Sequence, residues 1–206
     1  MPEGGFSRVP VPEDAETSTF ADQILVTLRS DWELDGTLHA AGSLLAFPLL
    51  DFMRGERAAL TTLFAPSKTV SLEGTSSTRN YLIIALLDDV RSELKFWRYA
   101  AGGGKGGGKG GGGGAAGSWT LEEAFRSESI NQISASGVDA DTSDAIWVTS
   151  SGYTQPSTYS IAEAASPAKQ ETLKVLPSFY NAEGQRVEQF KAVSADGTEA
   201  PPHRTP

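Results

Sequence analysis

The 206-residue sequence has no cysteine, two histidines and two methionines. Without cysteine it can form no disulfide framework, no thiol nucleophile and no thiolate metal site. His39 and His203 are its only imidazoles, so a zinc site would lack a third nitrogen or sulfur ligand. Basic residues are scarce as well: 17 Lys and Arg against 26 Asp and Glu give a formal net charge of -9. That balance opposes nucleic-acid backbones and anionic membrane surfaces. The most apolar run, residues 81–87, is far shorter than the ~20 residues of a membrane-spanning helix. Residues 1–19 carry neither the basic nor the apolar stretch of a signal peptide. These absences lead us to expect a soluble, cytoplasmic chain with no cofactor, no metal, no nucleic-acid partner and no membrane partner.

What is present is enough apolar material, 39% of residues, for a core. It is cut into short segments rich in Val, Ile, Leu, Thr and aromatics, separated by Gly, Asp, Asn, Ser or Pro. Twelve candidate strands follow: 23–28, 44–48, 60–64, 69–72, 81–87, 93–99, 119–125, 130–135, 145–149, 158–161, 172–176 and 187–193. Leu94 and Phe96 alternate with Lys95 and Trp97, the period-two pattern of a sheet with unlike faces. Helical spacing is confined to 52–60 and to 160–169, where Pro167 interrupts it. Twelve strands divide into three four-stranded antiparallel sheets of propeller-blade size, so the expected fold is all-β, a partial β-propeller of about three blades.

Candidate chemistry is sparse. The sequence contains no Gly-x-Ser-x-Gly pentapeptide, the strained turn that exposes a hydrolase serine. A general base would have to be His39, in an expected hairpin turn, or His203, in a Pro-rich tail, and both are read as solvent-facing. Ser92-Glu-Leu-Lys95 and Ser166-Pro-Ala-Lys169 match Ser-x-x-Lys. The first lies on a strand, where residues three apart point to opposite faces, and Pro167 disturbs the second. Eleven of the 22 glycines lie between Gly102 and Gly114. Gly103 to Lys109 fits Gly-x4-Gly-Lys, but Gly110 follows where a metal-binding Ser or Thr is needed, so no phosphate loop is assigned. The segment 101–117 reads instead as a flexible insertion between two hairpin strands, with a closure cost of about 1 kcal/mol. Asp88-Asp89, Glu122-Glu123 and the Asp139, Asp141, Asp144 group read as turn residues, and Trp32, Trp97, Trp119 and Trp147 as packing between sheets. No catalytic, cofactor-binding or metal-ligating residue is assigned.

Two motifs carry a family resemblance. The run Asp144-Ala-Ile-Trp147-Val-Thr149-Ser-Ser151-Gly152-Tyr153-Thr-Gln-Pro156-Ser157-Thr158-Tyr159 joins an apolar strand, a Ser-Gly-aromatic turn and a Pro-Ser-Thr element. It resembles the late-propeller signature of the prolyl oligopeptidase family. Glu188-Gln-Phe190-Lys-Ala-Val193-Ser-Ala-Asp196-Gly197-Thr198 resembles the junction where that family's propeller meets its peptidase domain. Segments 20–32, 43–48 and 78–94 resemble earlier blades, so the likeness covers residues 20–199 apart from the glycine tract.

The resemblance implies a non-catalytic propeller that caps a serine peptidase domain and limits access to oligopeptides small enough to enter, the parent enzyme hydrolysing short, proline-containing peptides. It implies that the catalytic Ser, Asp and His lie beyond the junction, so the chain alone is expected to be inactive. After Thr198 the family continues with an apolar strand, which Ala200-Pro-Pro-His-Arg-Thr-Pro206 does not provide. The expected organisation is a disordered lead, 1–19, a partial propeller, 20–199, and a disordered tail, 200–206. Expected partners are a peptidase catalytic domain or further copies of the chain meeting at uncovered blades. The competing reading is a free-standing β-rich module that binds a protein or peptide along exposed strand edges.

Overall fold

The computed structural model describes residues 7–102, 117–126, 130–188, 192–195, 197 and 199–200. Among these, strands dominate. Three four-stranded antiparallel sheets have the orders β1-β2-β5-β6, β10-β9-β8-β7 and β11-β12-β13-β14, and two pairs, β3-β4 and β15-β16, stand apart. Each large sheet is built from strands consecutive in the chain, except that the β3-β4 hairpin interrupts the first. No helix among the described residues is long and apolar enough to cross a membrane.

The first sheet comprises β1 (Glu16–Phe20), β2 (Gln23–Thr27), β5 (Leu44–Pro48) and β6 (Thr61–Phe64). It belongs to a unit formed by residues 1–68 and 99–119. Ile24, Val26, Leu45 and Phe47 point to one face, where Phe52 and the partly buried Val9, Val11, Ala15, Trp32 and Leu34 complete the core. Phe47 and Phe52 meet with ring centroids 4.4 Å apart, and the Arg57 guanidinium lies 4.0 Å over the Phe52 ring. Phe52 sits on the one short helix, α1 (Leu49–Met53), among the described residues. The helical spacing seen over 52–60 therefore forms one turn, earlier than expected. Gly55 ends it at φ 90°, a conformation that favours glycine.

β1 opens inside the stretch read as a lead, and this shifts the grouping of strands by one. Its sequence, Glu-Thr-Ser-Thr-Phe, is exposed at every residue but the last. An edge strand of that kind has no apolar alternation to reveal it. The twelfth strand of the three large sheets is therefore β1, not 187–193. Of that last candidate, residues 189–191 lie outside the described residues, and β15 (Ala192–Val193) pairs only with β16 (Glu199–Ala200). The small hairpin of β3 (Trp32–Leu34) and β4 (Thr37–His39) turns through Asp35, φ 49°, and Gly36, φ 76°. This is the Asp-Gly turn whose left-handed residues match strand twist.

The second and third sheets form a unit of residues 69–98 and 120–206. The second comprises β7 (Val70–Ser77), β8 (Tyr81–Asp88), β9 (Arg91–Ala100) and β10 (Ser118–Arg126), whose first residues count with the other unit. The third comprises β11 (Asn131–Gly137), β12 (Ala145–Gly152), β13 (Thr158–Glu163) and β14 (Glu171–Val175). Tyr81, Ile83, Leu94 and Phe96 of the second pack with Ile133, Ile146, Val148 and Ala162 of the third in one buried cluster. The period-two pattern of β9 is the cause: Ser92, Leu94 and Phe96 are buried while Glu93, Lys95 and Trp97 are half-buried on the opposite face. The helical tendency of 160–169 is overridden, because Ser160 and Ala162 point inward from β13. β9 and β10, which flank the glycine tract, are neighbours in the sheet; residues 103–116 lie outside the described residues.

Candidate interaction surface

The residues considered for chemistry take structural positions. Ser92 and Lys95 sit on opposite faces of β9, and Ser166 lies in a turn where its carbonyl accepts from the Lys169 amide at 2.9 Å. His39 is buried, 8% exposed, where the sequence led us to expect a solvent-facing side chain. The reason is register: it pairs with Trp32, and cross-strand partners share a face, so both turn toward the covered side of the hairpin. Its Nε2 has no partner among the described residues. His203 lies outside the described residues.

The acidic groups behave as turn and bridging residues. Asp139 accepts from the Asp141 amide at 3.0 Å and from the Thr142 hydroxyl at 2.7 Å, closing the β11-β12 turn. The Thr142 bond is the main cause that holds its carboxyl below the usual range. Asp144 reaches from this turn to the β7-β8 turn. Its Oδ1 accepts from the Thr78 hydroxyl and the Asn80 amide, both at 2.8 Å, and its Oδ2 from Asn80 Nδ2 at 2.7 Å. Burial raises its pKa, but the bonds from Asn80 and Thr78 together outweigh burial and lower it. Asp88 pairs with Arg126. Glu122 accepts from the Tyr81 hydroxyl at 2.7 Å and pairs with Arg98 at 3.3 Å; the tyrosine bond is the main cause of its lowered pKa. Burial first, and then this same bond, pushes Tyr81 up to about 12. In the other unit, the Tyr99 hydroxyl donates to Asp22 at 2.6 Å and accepts from Gln23 Nε2 at 2.9 Å, and burial raises its pKa further still. Trp119 packs on Tyr99 with centroids 4.8 Å apart.

The surface best suited to a partner is apolar. Two clefts open on the third sheet, one of ≈ 230 Å³ bounded by Tyr153, Pro156, Pro177, Phe179 and Tyr180, the other of ≈ 590 Å³ bounded by Thr149, Tyr159, Leu173 and Val175. Ser157 and Leu176 line both. Tyr153 and Pro156 belong to the Ser-Gly-aromatic and Pro-Ser-Thr elements singled out in the sequence. The positions of Phe179 and Tyr180, 88% and 51% exposed, were not anticipated. The signal was their place in a segment without strand alternation, where aromatics have no sheet face to fill. Trp147 and Tyr159 stack nearly parallel on the outward face, centroids 5.2 Å apart and planes at 22°.

No protein-family model matches the sequence. An uncharacterized peptidase, y4nA, of Sinorhizobium fredii is 31% identical over 196 residues, which are 94% of this chain and 24% of that protein. A post-proline cleaving enzyme of Rickettsia typhi superposes with a TM-score of 0.68 at 20% identity, covering 94% of this chain and 26% of its own. Prolyl oligopeptidase B of Galerina marginata superposes at 0.55 with 14% identity, covering 94% and 24%. The chain thus spans about a quarter of the length of the proteins it matches. Together with the three consecutive four-stranded sheets, these likenesses bear out the all-β, propeller-type fold and the resemblance to prolyl oligopeptidases, of whose length the chain matches about a quarter.

Proposed function

We propose that the chain acts as a non-catalytic propeller portion of a prolyl-oligopeptidase-like serine peptidase in the cytoplasm, where it restricts access to a peptidase domain. The observation that carries this is that 94% of the chain aligns with only 24% of a curated peptidase, while the sequence has no Gly-x-Ser-x-Gly element. The parent activity is hydrolysis of short, proline-containing peptides by acyl transfer to a serine that these 206 residues do not supply. Stacked sheets with tightly filled cores suit such a role, because a rigid wall excludes large substrates by shape alone.

The test replaces the matching quarter of the Sinorhizobium peptidase with this chain and measures hydrolysis of a peptide series of rising length. An active chimera that keeps a sharp preference for short peptides is expected. An active chimera that cleaves long and short peptides alike would overturn the gating role.

A further inference from the structure

A third cleft, of ≈ 310 Å³, lies within the second unit, where β11 begins and β12 ends. It is bounded by Val90 of the β8-β9 turn, by Ile130, Asn131 and Gln132, and by Ser151 and Tyr153 on either side of Gly152. Charged residues make up 21% of the chain, yet none bounds this cleft, so a charged ligand would go unpaired in it. Asn131 is 8% exposed, and its Nδ2 donates to Gln155 Oε1 at 2.9 Å. Its Oδ1 lies over Gly152, in the space that a Cβ there would fill. Among the described residues this oxygen accepts no hydrogen bond, and a mostly buried acceptor of that kind calls for a donor from outside the chain. The main chain points the same way. The Gly152 amide donates to the Gln155 carbonyl at 3.3 Å, not to its cross-strand partner Asn131. Asn131 therefore holds a non-hydrogen-bonded position, and its own N–H and C=O turn away from β12, on the outer side of the first strand of the sheet.

We propose that this cleft binds an uncharged, extended peptide segment laid over Gly152. The bond between Asn131 and Gln155 uses one donor and one acceptor of the pair, and leaves the Asn131 Oδ1 acceptor and the Gln155 Nε2 donor. A peptide group, with one N–H and one C=O, is the complement of that remainder. Gln155 bounds the neighbouring ≈ 230 Å³ cleft, which shares Gly152 and Tyr153 with this one, so a segment crossing Gly152 reaches both carboxamides. An extended main chain also answers the outward N–H and C=O of Asn131, as in strand addition at a sheet edge. The half-exposed Tyr153 ring gives an uncharged side chain an apolar surface. No bond is broken at this site, which is independent of the peptidase reading.

Titrating the isotope-labelled full chain with acetyl-tetraalanine-methylamide at millimolar concentration tests it, read by the side-chain amide signals of Asn131 and Gln155 in two-dimensional NMR. These signals are expected to shift saturably. Acetyl-tetrasarcosine-dimethylamide, whose residues are isomers of alanine without an N–H, should bind at least about tenfold more weakly, as should a capped peptide with glutamates at its centre. Gly152→Ala, whose Cβ collides with Asn131 Oδ1, should weaken binding by a similar factor. Tyr153→Ala, at a half-exposed loop position, tests the site without disturbing the core and should weaken binding several-fold. The absence of a saturable shift with tetraalanine overturns the proposal, as does equal affinity for the sarcosine peptide or unchanged affinity in a folded Tyr153→Ala variant. Saturable shifts of the same signals with maltose, and none with the peptide, would overturn it in favour of a saccharide.

Discussion

Asp144→Ala removes the carboxylate that ties the β11-β12 turn to the β7-β8 turn, and its cost can be worked out bond by bond. Thr78 is 1% exposed, so its hydroxyl proton, now donated to Asp144 at 2.8 Å, would have no water to replace the lost acceptor. An orphaned buried donor costs about 1–3 kcal/mol. The two donors of Asn80 lie at the surface, where water takes them up, at about 0.5–1 kcal/mol each. The total is about 2–5 kcal/mol, and a loss of 3 kcal/mol corresponds to a Tm lower by about 6–12 °C in a domain of this size. Urea unfolding followed by tryptophan fluorescence reads it, and a cycle with Thr78→Val should give a coupling of about 1–2 kcal/mol. Asp144→Asn keeps the acceptor for Thr78 and should cost less. The sign of the pH dependence follows from the depressed pKa. The ionised group's contribution is complete above the unfolded value of about 3.9 and is lost as pH falls through the folded value, so the gap between wild type and Asp144→Asn narrows on acidification. An Asp144→Ala variant within about 0.5 kcal/mol of wild type, a typical surface effect, or a null cycle with Thr78, would refute the reasoning.

Gly137→Ala places a Cβ 2.2 Å from the Ser77 carbonyl oxygen, a backbone atom that can yield only by moving β7. It should destabilise by about 1–3 kcal/mol in the same urea assay, whereas alanine at Gly74, with open space around it, should be near neutral or favourable. Alkaline titration of the phenolate absorbance tests the buried tyrosines. Tyr81, pushed up to about 12, and Tyr99, raised further, stabilise the fold fully below the unfolded value of about 10 and lose that contribution as pH rises through the folded values. Part of the phenolate signal should therefore appear only in a late step that coincides with unfolding, and Tyr81→Phe should remove part of it.

The sheets were legible where their residues alternate or run apolar. β8 has buried residues on both faces, as Leu82, Ile83 and Ile84 show at 0–2% exposure, and its apolar run in the sequence says as much. β1 was not legible, because a strand with one buried residue looks like a polar lead. The β3-β4 hairpin is too short for periodicity, and only Asp35-Gly36 marks it. His39 was misplaced for the same reason: burial there depends on which way a three-residue hairpin folds, a tertiary contact that composition does not encode. The apolar surface was legible only in half. Tyr153 and Pro156 stood out by motif, but Leu173 and Phe179 acquire meaning only from the bulge in β14 and from the cleft between the loop after β12 and the segment after β14.

The central claim is that these residues form a propeller portion without peptidase chemistry of its own. Its most direct test is to incubate the purified 206-residue chain with a chromogenic proline-containing peptide and, separately, with a serine-directed fluorophosphonate. The account predicts no release of product above buffer and no covalent adduct. Turnover accompanied by a fluorophosphonate adduct on a serine of this chain would contradict it.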